Sequence, residues 1–197
     1  SVGADLGSMA PPDKGSLGAQ TADAMESLSN RLIEDLRTLP FPVVSAVNGA
    51  CAGAGVGVAL AADVVLAARS AYFYLPFMPR LGIVPDLGTT WFLERSVGRA
   101  RAVAMSLLGE RLSAEQAALW GLVWQCVDDA ELPAQALSTS SGTSAAVTST
   151  LHRITAVDTY RTVCFVLAML EVWSWYSVCQ SGHKLFITGA GCAPGRK

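Results

Sequence analysis

The sequence predicts an α/β fold, and three features of one stretch, Pro42–Ala68, lead to that prediction. An apolar run with β-branched residues, Val43–Val47, has the length and composition of a buried strand. An asparagine–glycine dipeptide follows it and favours a turn. Apolar residues then predict a buried helix over Val58–Ala62 and a second strand over Val64–Ala67. Strand, helix and strand in this order are the repeating unit of an α/β protein.

Three glycines precede the predicted helix at G-x-G-x-G spacing, namely Gly53, Gly55 and Gly57. Glycine lets another group approach the backbone closely, and N–H groups at a helix start are free to bind an anion. A dinucleotide site needs G-x-G-x-x-G with an acid about 20 residues on, and a P-loop needs Gly-Lys-Ser/Thr. Neither pattern is present, so the stretch predicts another anion-binding turn, with tight helix–strand packing as the alternative.

The flanking elements follow from periodicity and helix-breaking residues. Apolar residues at spacings of three and four predict an amphipathic helix over Thr21–Leu39, which two prolines end. Arg69–Pro85 contains three further prolines, so we expect an irregular segment that places its aromatic side chains against apolar surface. The remaining predicted elements are helices over Gly88–Ser96, Arg99–Leu108 and Ala114–Trp120, the last opened by a capping box at Ser113, and a strand over Leu122–Val127.

Composition excludes several classes of function. Of 197 residues, 51% are hydrophobic and 15% charged, and the net charge of −2 argues against an electrostatic nucleic-acid binder. The first residues lack the basic and apolar regions of a secretory signal, so we expect a cytoplasmic protein. Five scattered cysteines form no C-x-x-C pair, which favours reduced thiols over disulfides or a metal site.

The character of the chain changes near Leu137. Residues 1–137 hold 9 basic and 14 acidic residues, whereas residues 138–197 hold 5 and 2. We therefore divide the chain into a core at 1–137 and a tail at 138–197. The tail begins with a predicted Ser/Thr-rich linker, Ser138–Thr150, and continues with an apolar segment, Thr162–Cys179. Because Glu171 lies near its middle, this segment is marginal as a membrane span, and a buried or partner-seeking helix is the equally weighted alternative.

Three blocks of sequence carry a resemblance to a known family. They are SVGADL at Ser1–Leu6, PVVSAVNGACAGAGVGVALAADVVLA at Pro42–Ala67, and LGIVPDLGTTWFLERSVGRARAVAMSLLGERLSAEQAALWGLVWQCVDD at Leu81–Asp129. In this order they resemble the enoyl-CoA hydratase/isomerase (crotonase) superfamily, and the resemblance covers about residues 1–131. Within the family, VPDLGTTWFL is most similar to ring-epoxide isomerases of phenylacetyl-CoA catabolism and to related enoyl-CoA isomerases.

This resemblance implies a crotonase-type ββα spiral, truncated at the N-terminus and followed by an atypical C-terminal extension. It also implies an acyl-CoA substrate, with coenzyme A as part of that substrate and no separate cofactor or metal. We expect neither a nucleic acid nor a membrane as partner. Family members form homotrimers or hexamers, and the resemblance leaves the oligomeric state of this chain open.

Matching motif to motif, the resemblance implies that the backbone N–H groups of Ala4 and Ala54 hold the thioester oxygen while an enolate forms. Loop packing is the alternative for both residues. The substrate-binding residues expected around them are Gly3, Asp5, Gly53, Gly55, Phe77 and Trp91.

The acid and base residues depart from the hydratase pattern. Gly57 and, within one residue, Phe77 stand where hydratases carry glutamates, and water addition usually needs such a pair. What remains is Asp86, where the isomerases of the family keep a carboxylate. Its apolar neighbours on both sides, Ile83, Val84, Leu87, Trp91 and Phe92, predict a raised pKa. A position at the N-cap or in the first turn of a helix is the alternative role for Asp86.

The sequence therefore predicts an acyl-CoA isomerase that moves a double bond, or rearranges a ring epoxide, through a stabilised enolate. The alternatives are a truncated, catalytically inactive member of the family or an acyl-CoA binder, and enoyl-CoA hydration is disfavoured. A Ser/His/Asp hydrolase is poorly supported, because both histidines, His152 and His183, lie in the tail. Whether this chain is itself an enzyme stays open at this level.

Overall fold

The computed structural model of the chain describes residues 1–3, 16–142 and 166–168. Its helices are α1 (Leu17–Ala24), α2 (Asn30–Thr38), α3 (Ala54–Leu60), α4 (Thr89–Val97), α5 (Arg99–Leu108) and α6 (Ala114–Trp120), with π-helical turns at Met25–Ser29 and Phe77–Leu81. Its strands are β1 (Val44–Val47), β2 (Ala50–Ala52), β3 (Val64–Ala68), β4 (Tyr72–Tyr74), β5 (Leu112–Ser113), β6 (Gln125–Val127) and β7 (Val166–Ala168). Residues 132–142 are also helical.

The larger sheet is parallel and has the strand order β6-β3-β1-β7. Strand β1 lies inside it, and all four of its residues are buried. Val44 pairs with Val64 of β3, in the arrangement expected for parallel strands whose connection contains a helix, here α3. A parallel sheet covered on both faces needs continuous apolar strands, which explains why β1 and β3 were predicted correctly.

The smaller sheet was not predicted. It joins β2 and β4 in parallel, and β5 pairs with β4 in antiparallel fashion. Arg69–Pro85, predicted as irregular, therefore contains a strand and a π-helical turn. Phe73, at the centre of β4, is fully buried. Strands of two or three residues are too short to show a period of two, so the sequence carried no signal for them.

The predicted N-terminal helix is longer and less buried than expected. It begins at Leu17, where Ser16 Oγ accepts a hydrogen bond from the Ala19 amide at 3.1 Å, and the π-helical turn interrupts it before α2. Only α2 packs on the core, through buried Ile33. Leu28, a member of the predicted apolar stripe, is 39% exposed, because the π-helical turn shifts the helical phase.

The helices after the proline-rich segment match the prediction closely. Helices α4 and α5 meet at Gly98, whose φ of +76° favours glycine. Ser113 caps α6 by accepting a hydrogen bond from the Gln116 amide at 3.2 Å. Gly121 ends α6 in the left-handed conformation.

Two predictions for the tail need correction. The Ser/Thr-rich linker is helical in its first residues, 138–142, because the helix from residue 132 runs through Leu137. Val166–Ala168, inside the apolar segment Thr162–Cys179, is a strand that pairs with the second edge of β1, whereas both alternatives for this segment were helical. Residues 143–165 and 169–197 lie outside the described residues, and the division of the chain at residue 137 stays a prediction.

The described cysteines agree with the predicted reduced state. Cys51 and Cys126 are both free thiols, and the other three cysteines lie outside the described residues. Burial raises the pKa of Cys51 to about 12, so this thiol stays neutral beneath α3. In the described part of the chain, every helix is too short or too polar to cross a membrane.

Candidate active site

Helix α3 lies at the centre of the candidate site, directly after β2. Its N-cap is Gly53, with φ +56° and ψ −132°, a conformation that residues with a side chain rarely adopt. The Gly53 amide donates a hydrogen bond to the Tyr74 carbonyl at 2.9 Å, which fixes the turn to β4. Ala54 is therefore the first residue of the helix, where amides have no intrahelical acceptor. Within the described residues the Ala54 amide donates no hydrogen bond.

Residues 1–3 pack against the start of α3. The Ala52 amide donates a hydrogen bond to the Ser1 carbonyl at 2.8 Å. A methyl group added at Gly55 would lie 2.9 Å from Ser1 Cβ, so glycine is needed there for the two segments to meet. A methyl group added at Gly3 would lie 3.3 Å from the Ala54 nitrogen. The segment that leads to Ala4 thus lies beside the Ala54 amide, whereas Ala4 and Asp5 themselves lie outside the described residues.

The turn before α4 packs against the second turn of α3. A methyl group added at Gly57 would lie 2.6 Å from the Leu87 carbonyl oxygen and 2.7 Å from Thr89 Oγ1. Ala54 and Gly57 are three residues apart and share one face of α3. Leu87, which follows Asp86, therefore packs on the face of α3 that carries Ala54.

The turn itself has an unusual backbone. Leu87 has φ +49° and Gly88 φ +71°, and the Thr89 amide donates to the Asp86 carbonyl at 2.9 Å. Positive φ at both central residues defines a turn that strongly prefers Gly, Asn or Asp. Among the described residues Leu87 is the one non-glycine residue with positive φ. A backbone strained by about 1–3 kcal/mol persists only where surrounding packing holds it, and such strain clusters at functional sites.

Asp86 has the environment expected of a proton carrier. It is partly buried, and its Oδ1 atom is buried without a hydrogen-bond partner among the described residues. Burial raises the pKa of the Asp86 carboxyl, as predicted, although its own backbone N–H partly offsets this effect. Helix α4 has Gly88 at its N-cap and no side-chain cap, so the alternative N-cap role of Asp86 is wrong.

The apolar surroundings of Asp86 are only partly those expected. Leu87 and Phe92 are buried, whereas Ile83, Val84 and Trp91 are 51%, 71% and 48% exposed. They are exposed because residues 81–84 form a surface segment and Trp91 lies on the outer side of α4. The guanidinium carbon of Arg95 lies 3.9 Å from the Trp91 ring centroid, a cation–π contact. The substrate-binding role of Trp91 stays a prediction.

Phe77 lies where the sequence places it, close to the glycine turn. It is buried, and a methyl group at Gly53 would lie 3.9 Å from the tip of its ring. The structure thus brings together Gly3, Gly53, Ala54, Gly55 and Phe77, with Asp86 on the adjoining turn. The substrate-binding roles of Phe77, Gly3, Gly53 and Gly55 stay predictions.

A cleft of about 300 Å³ opens beside this arrangement. Its apolar lining consists of Met78, Val84, Pro85, Ala102, Val103 and Leu107. The other lining residues are Thr90, Glu94, Arg99 and Ser106. Two of the lining residues, Met78 and Pro85, are the chain neighbours of Phe77 and Asp86.

Sequence reasoning missed Leu87 and Thr89 as parts of the site. Thr89 is fully buried, and its Oγ1 has no hydrogen-bond partner in the described part of the chain. Leu87 and Thr89 pack on Gly57 from 30 and 32 positions further along the chain, which no local pattern reveals. The only available signal was the Asp-Leu-Gly tripeptide, which is typical of a turn.

Together these features define an α/β protein with main-chain donors at a glycine turn and a half-buried carboxylate close by. Residues 1–157 match the family model described as Enoyl-CoA hydratase/isomerase. The chain therefore belongs to the enoyl-CoA hydratase/isomerase family, as its three sequence blocks predicted.

Individual relatives lie on both sides of the hydratase–isomerase division. The chain is 53% identical over 109 residues to 1,2-epoxyphenylacetyl-CoA isomerase of Escherichia coli (strain K12), covering 55% of this chain and 41% of the relative. It is 43% identical over 122 residues to 2,3-dehydroadipyl-CoA hydratase of the same organism, covering 62% and 45%. The chain thus spans about half the length of the curated relatives it matches.

A solved structure supports the fold. The crystal structure of an enoyl-CoA hydratase from Bacillus anthracis superposes with a TM-score of 0.65 at 32% identity, covering 73% of this chain and 53% of that chain. This likeness confirms the crotonase-type fold.

Proposed function

We propose that the chain acts on an acyl-CoA thioester as an isomerase, through an enolate. The observation that carries the proposal is Asp86, a partly buried carboxylate with an unpartnered oxygen, attached to a turn that packs on α3. A base needs a pKa near the working pH and access to the proton that it removes. Burial raises the pKa of Asp86 in that direction.

In the proposed reaction the ionised Asp86 removes a proton from C2 of a 3-enoyl thioester. The electron pair moves into the conjugated system and places negative charge on the thioester oxygen. The N–H groups of Ala54 and Ala4 donate hydrogen bonds to that oxygen, which stabilises the charge. The protonated Asp86 then returns its proton to C4, which leaves a 2-enoyl thioester and regenerates the carboxylate.

The surroundings of position 57 favour isomerisation over hydration. Leu87 and Thr89 fill the space that a side chain at Gly57 would occupy, so this site lacks room for a second carboxylate there. Phe77 offers no ionisable group at the other hydratase position. A single carboxylate can shuttle one proton between two carbons, whereas water addition usually needs a base for water and an acid for carbon.

We assign the acyl group to the cleft beside Asp86. Its lining is mainly apolar, through residues such as Val84, Val103 and Leu107, which suits a hydrocarbon or aromatic acyl chain. Pro85, the residue before Asp86, is one of the lining residues, and this supports the assignment of the acyl group to this cleft.

The test is an isomerisation assay with a 3-enoyl-CoA, run beside a hydration assay with crotonyl-CoA. We expect isomerisation by the parent chain, a drop of about 10²–10⁴-fold for Asp86→Asn, and hydration at background. Glu131→Gln, a change at an exposed carboxylate, is the matched control and should leave the rate unchanged. Full isomerase activity in Asp86→Asn, or efficient hydration by the parent, would contradict the proposal.

The second candidate is acyl-CoA binding without turnover. It is favoured by one specific observation, which is that Ala54 lies at the first position of α3, where its N–H group is available to an oxygen whatever residue stands at position 86. Calorimetric binding of acyl-CoA by a parent chain that isomerises nothing would select this candidate. Absence of binding would exclude both candidates.

A further inference from the structure

Gly57 lies one helical turn after Ala54, and its role is set by what packs on it. A methyl group there would lie 2.6 Å from the Leu87 carbonyl oxygen, 2.7 Å from Thr89 Oγ1 and 2.8 Å from Leu87 Cβ. Real Cβ atoms essentially never come this close to another atom. Two of the three atoms belong to the backbone or to the start of a side chain, so rotation about a side-chain bond cannot relieve the contact.

The opposing turn has little freedom to retreat. Leu87 and Gly88 are held at positive φ, and the Thr89 amide closes the turn on the Asp86 carbonyl. Leu87 is 8% exposed and Thr89 fully buried. Helix α4 continues from Thr89 and is anchored by Leu93, which is also fully buried. A group added at position 57 would therefore push α3 and the turn that carries Asp86 apart, which changes where the Asp86 carboxylate lies relative to Ala54.

We propose that Gly57 is a positioning residue for Asp86, because the missing side chain lets the Leu87 turn seat on α3 and so fixes where the Asp86 carboxylate lies. This inference rests on the proposed function for its catalytic consequence, but the placement of the carboxylate is a property of the fold alone. A misplacement of about 1 Å at a reacting group can reduce a rate by about 10²-fold.

Gly57→Ala is the primary variant, and Gly49→Ala is its matched control. A methyl group at Gly49 meets no atom within 4 Å, and its φ is not positive, so the control makes the same chemical change without a contact. Leu87→Gly is a second variant, which keeps a residue suited to positive φ but removes the buried side chain that packs the turn against α3. It keeps the test decisive if Gly57→Ala fails to fold.

Two readouts separate positioning from general destabilisation. The first is the pKa of the Asp86 carboxyl, measured by carbon-13 NMR, which needs no activity. The second is the rate of 3-enoyl-CoA isomerisation together with the affinity for the same thioester. For Gly57→Ala and Leu87→Gly we expect the Asp86 pKa to fall towards its ordinary value, because the displaced carboxylate gains water. We also expect about a 10²-fold lower kcat with less than a threefold change in affinity.

The outcomes are distinguishable from those of the proposed function. Gly57→Ala with the parent's Asp86 pKa and kcat would overturn the inference, and so would equal effects from Gly49→Ala. A shifted pKa with an unchanged kcat would overturn the catalytic part. If the parent chain has no isomerase activity, the proposed function fails, and the Asp86 pKa alone then decides the positioning.

Discussion

Three exposed acidic residues of this protein and the partly buried Asp86 have opposite environments. Asp128 and Glu115 both form ion pairs with Arg69 on an exposed surface, and Asp129 accepts a hydrogen bond from the Ser70 amide at 3.0 Å. Asp86 is partly buried, and its Oδ1 has no partner among the described residues. Burial raises the pKa of Asp86, whereas hydrogen bonds from Ser70 lower the pKa of Asp129.

The difference indicates which acid the fold keeps for chemistry. Asp128 and Asp129 fasten the end of β3 to the chain after β6, and their charges are satisfied by that structural role. Among the described residues the Asp86 carboxylate gains only partial compensation, from its own backbone N–H, and the backbone next to it is strained at Leu87. A group kept at a cost to stability is a candidate functional group, because nothing structural explains its retention.

The first prediction concerns the oxyanion contact rather than the acid, and its expected effect on the rate is large. Proline fits the first position of a helix, so Ala54→Pro removes the amide hydrogen with little change to α3. We expect the isomerisation rate to fall by about 10²–10³-fold, as when one such donor is lost. Ala54→Gly keeps the N–H group and should stay within a few-fold of the parent. Equal rates for the proline and glycine variants would remove Ala54 from the site.

How far the sequence predicted this site depends on how local each contact is. Strands β1 and β3, the α4–α5 junction and the glycine turn were predicted because apolar runs, Gly98 and the G-x-G-x-G spacing are local signals. The partners of those glycines were not predicted. Gly55 meets Ser1 and Gly57 meets Leu87, and such distant contacts appear only in the folded chain. Trp91 was expected to help bury Asp86, but it lies on the outer side of α4 and is 48% exposed. Nearness in sequence did not show on which side of the helix it lies.

A smaller expected effect is the change that Asp86→Asn makes to the pH dependence of the free energy of unfolding. Asp86 binds its proton more tightly in the folded state, so stability falls as pH rises from the ordinary aspartate pKa, near 3.8, through the raised pKa of Asp86. Asp86→Asn should remove this loss and make the protein more stable than the parent at neutral pH. Urea unfolding at several pH values tests this. An Asn variant less stable than the parent at pH 7 would mean that the charged carboxylate has a stabilising partner.

Asp129 should show the opposite sign. Its folded-state pKa is lowered, so its contribution is present above the ordinary aspartate pKa and is lost as pH falls through the lowered value. Asp129→Asn should therefore destabilise slightly at neutral pH and match the parent in acid. The same urea series measures this, and a variant that gains stability at neutral pH would contradict the structural role.

The smallest expected effect is that of Arg69→Gln, which removes both ion pairs of the exposed group. Exposed ion pairs contribute little and are screened by salt. We expect a slight loss of thermal stability at low ionic strength, no loss at high ionic strength, and unchanged isomerisation. A large loss of thermal stability that does not depend on salt would show that the ion pairs of Arg69 contribute more than exposed pairs usually do.

The claim that Asp86 removes the proton next to the thioester is tested by the exchange of those α-protons in D₂O. A saturated acyl-CoA is incubated with the protein, and mass spectrometry measures the deuterium that it takes up. This measurement detects enolate formation alone and needs no rearranged product. The account predicts that the parent chain exchanges these protons and that Asp86→Asn does so about 10²–10⁴-fold more slowly, with its affinity for the thioester retained. Exchange by Asp86→Asn at the parent's rate would contradict the account, because another group would then be the base.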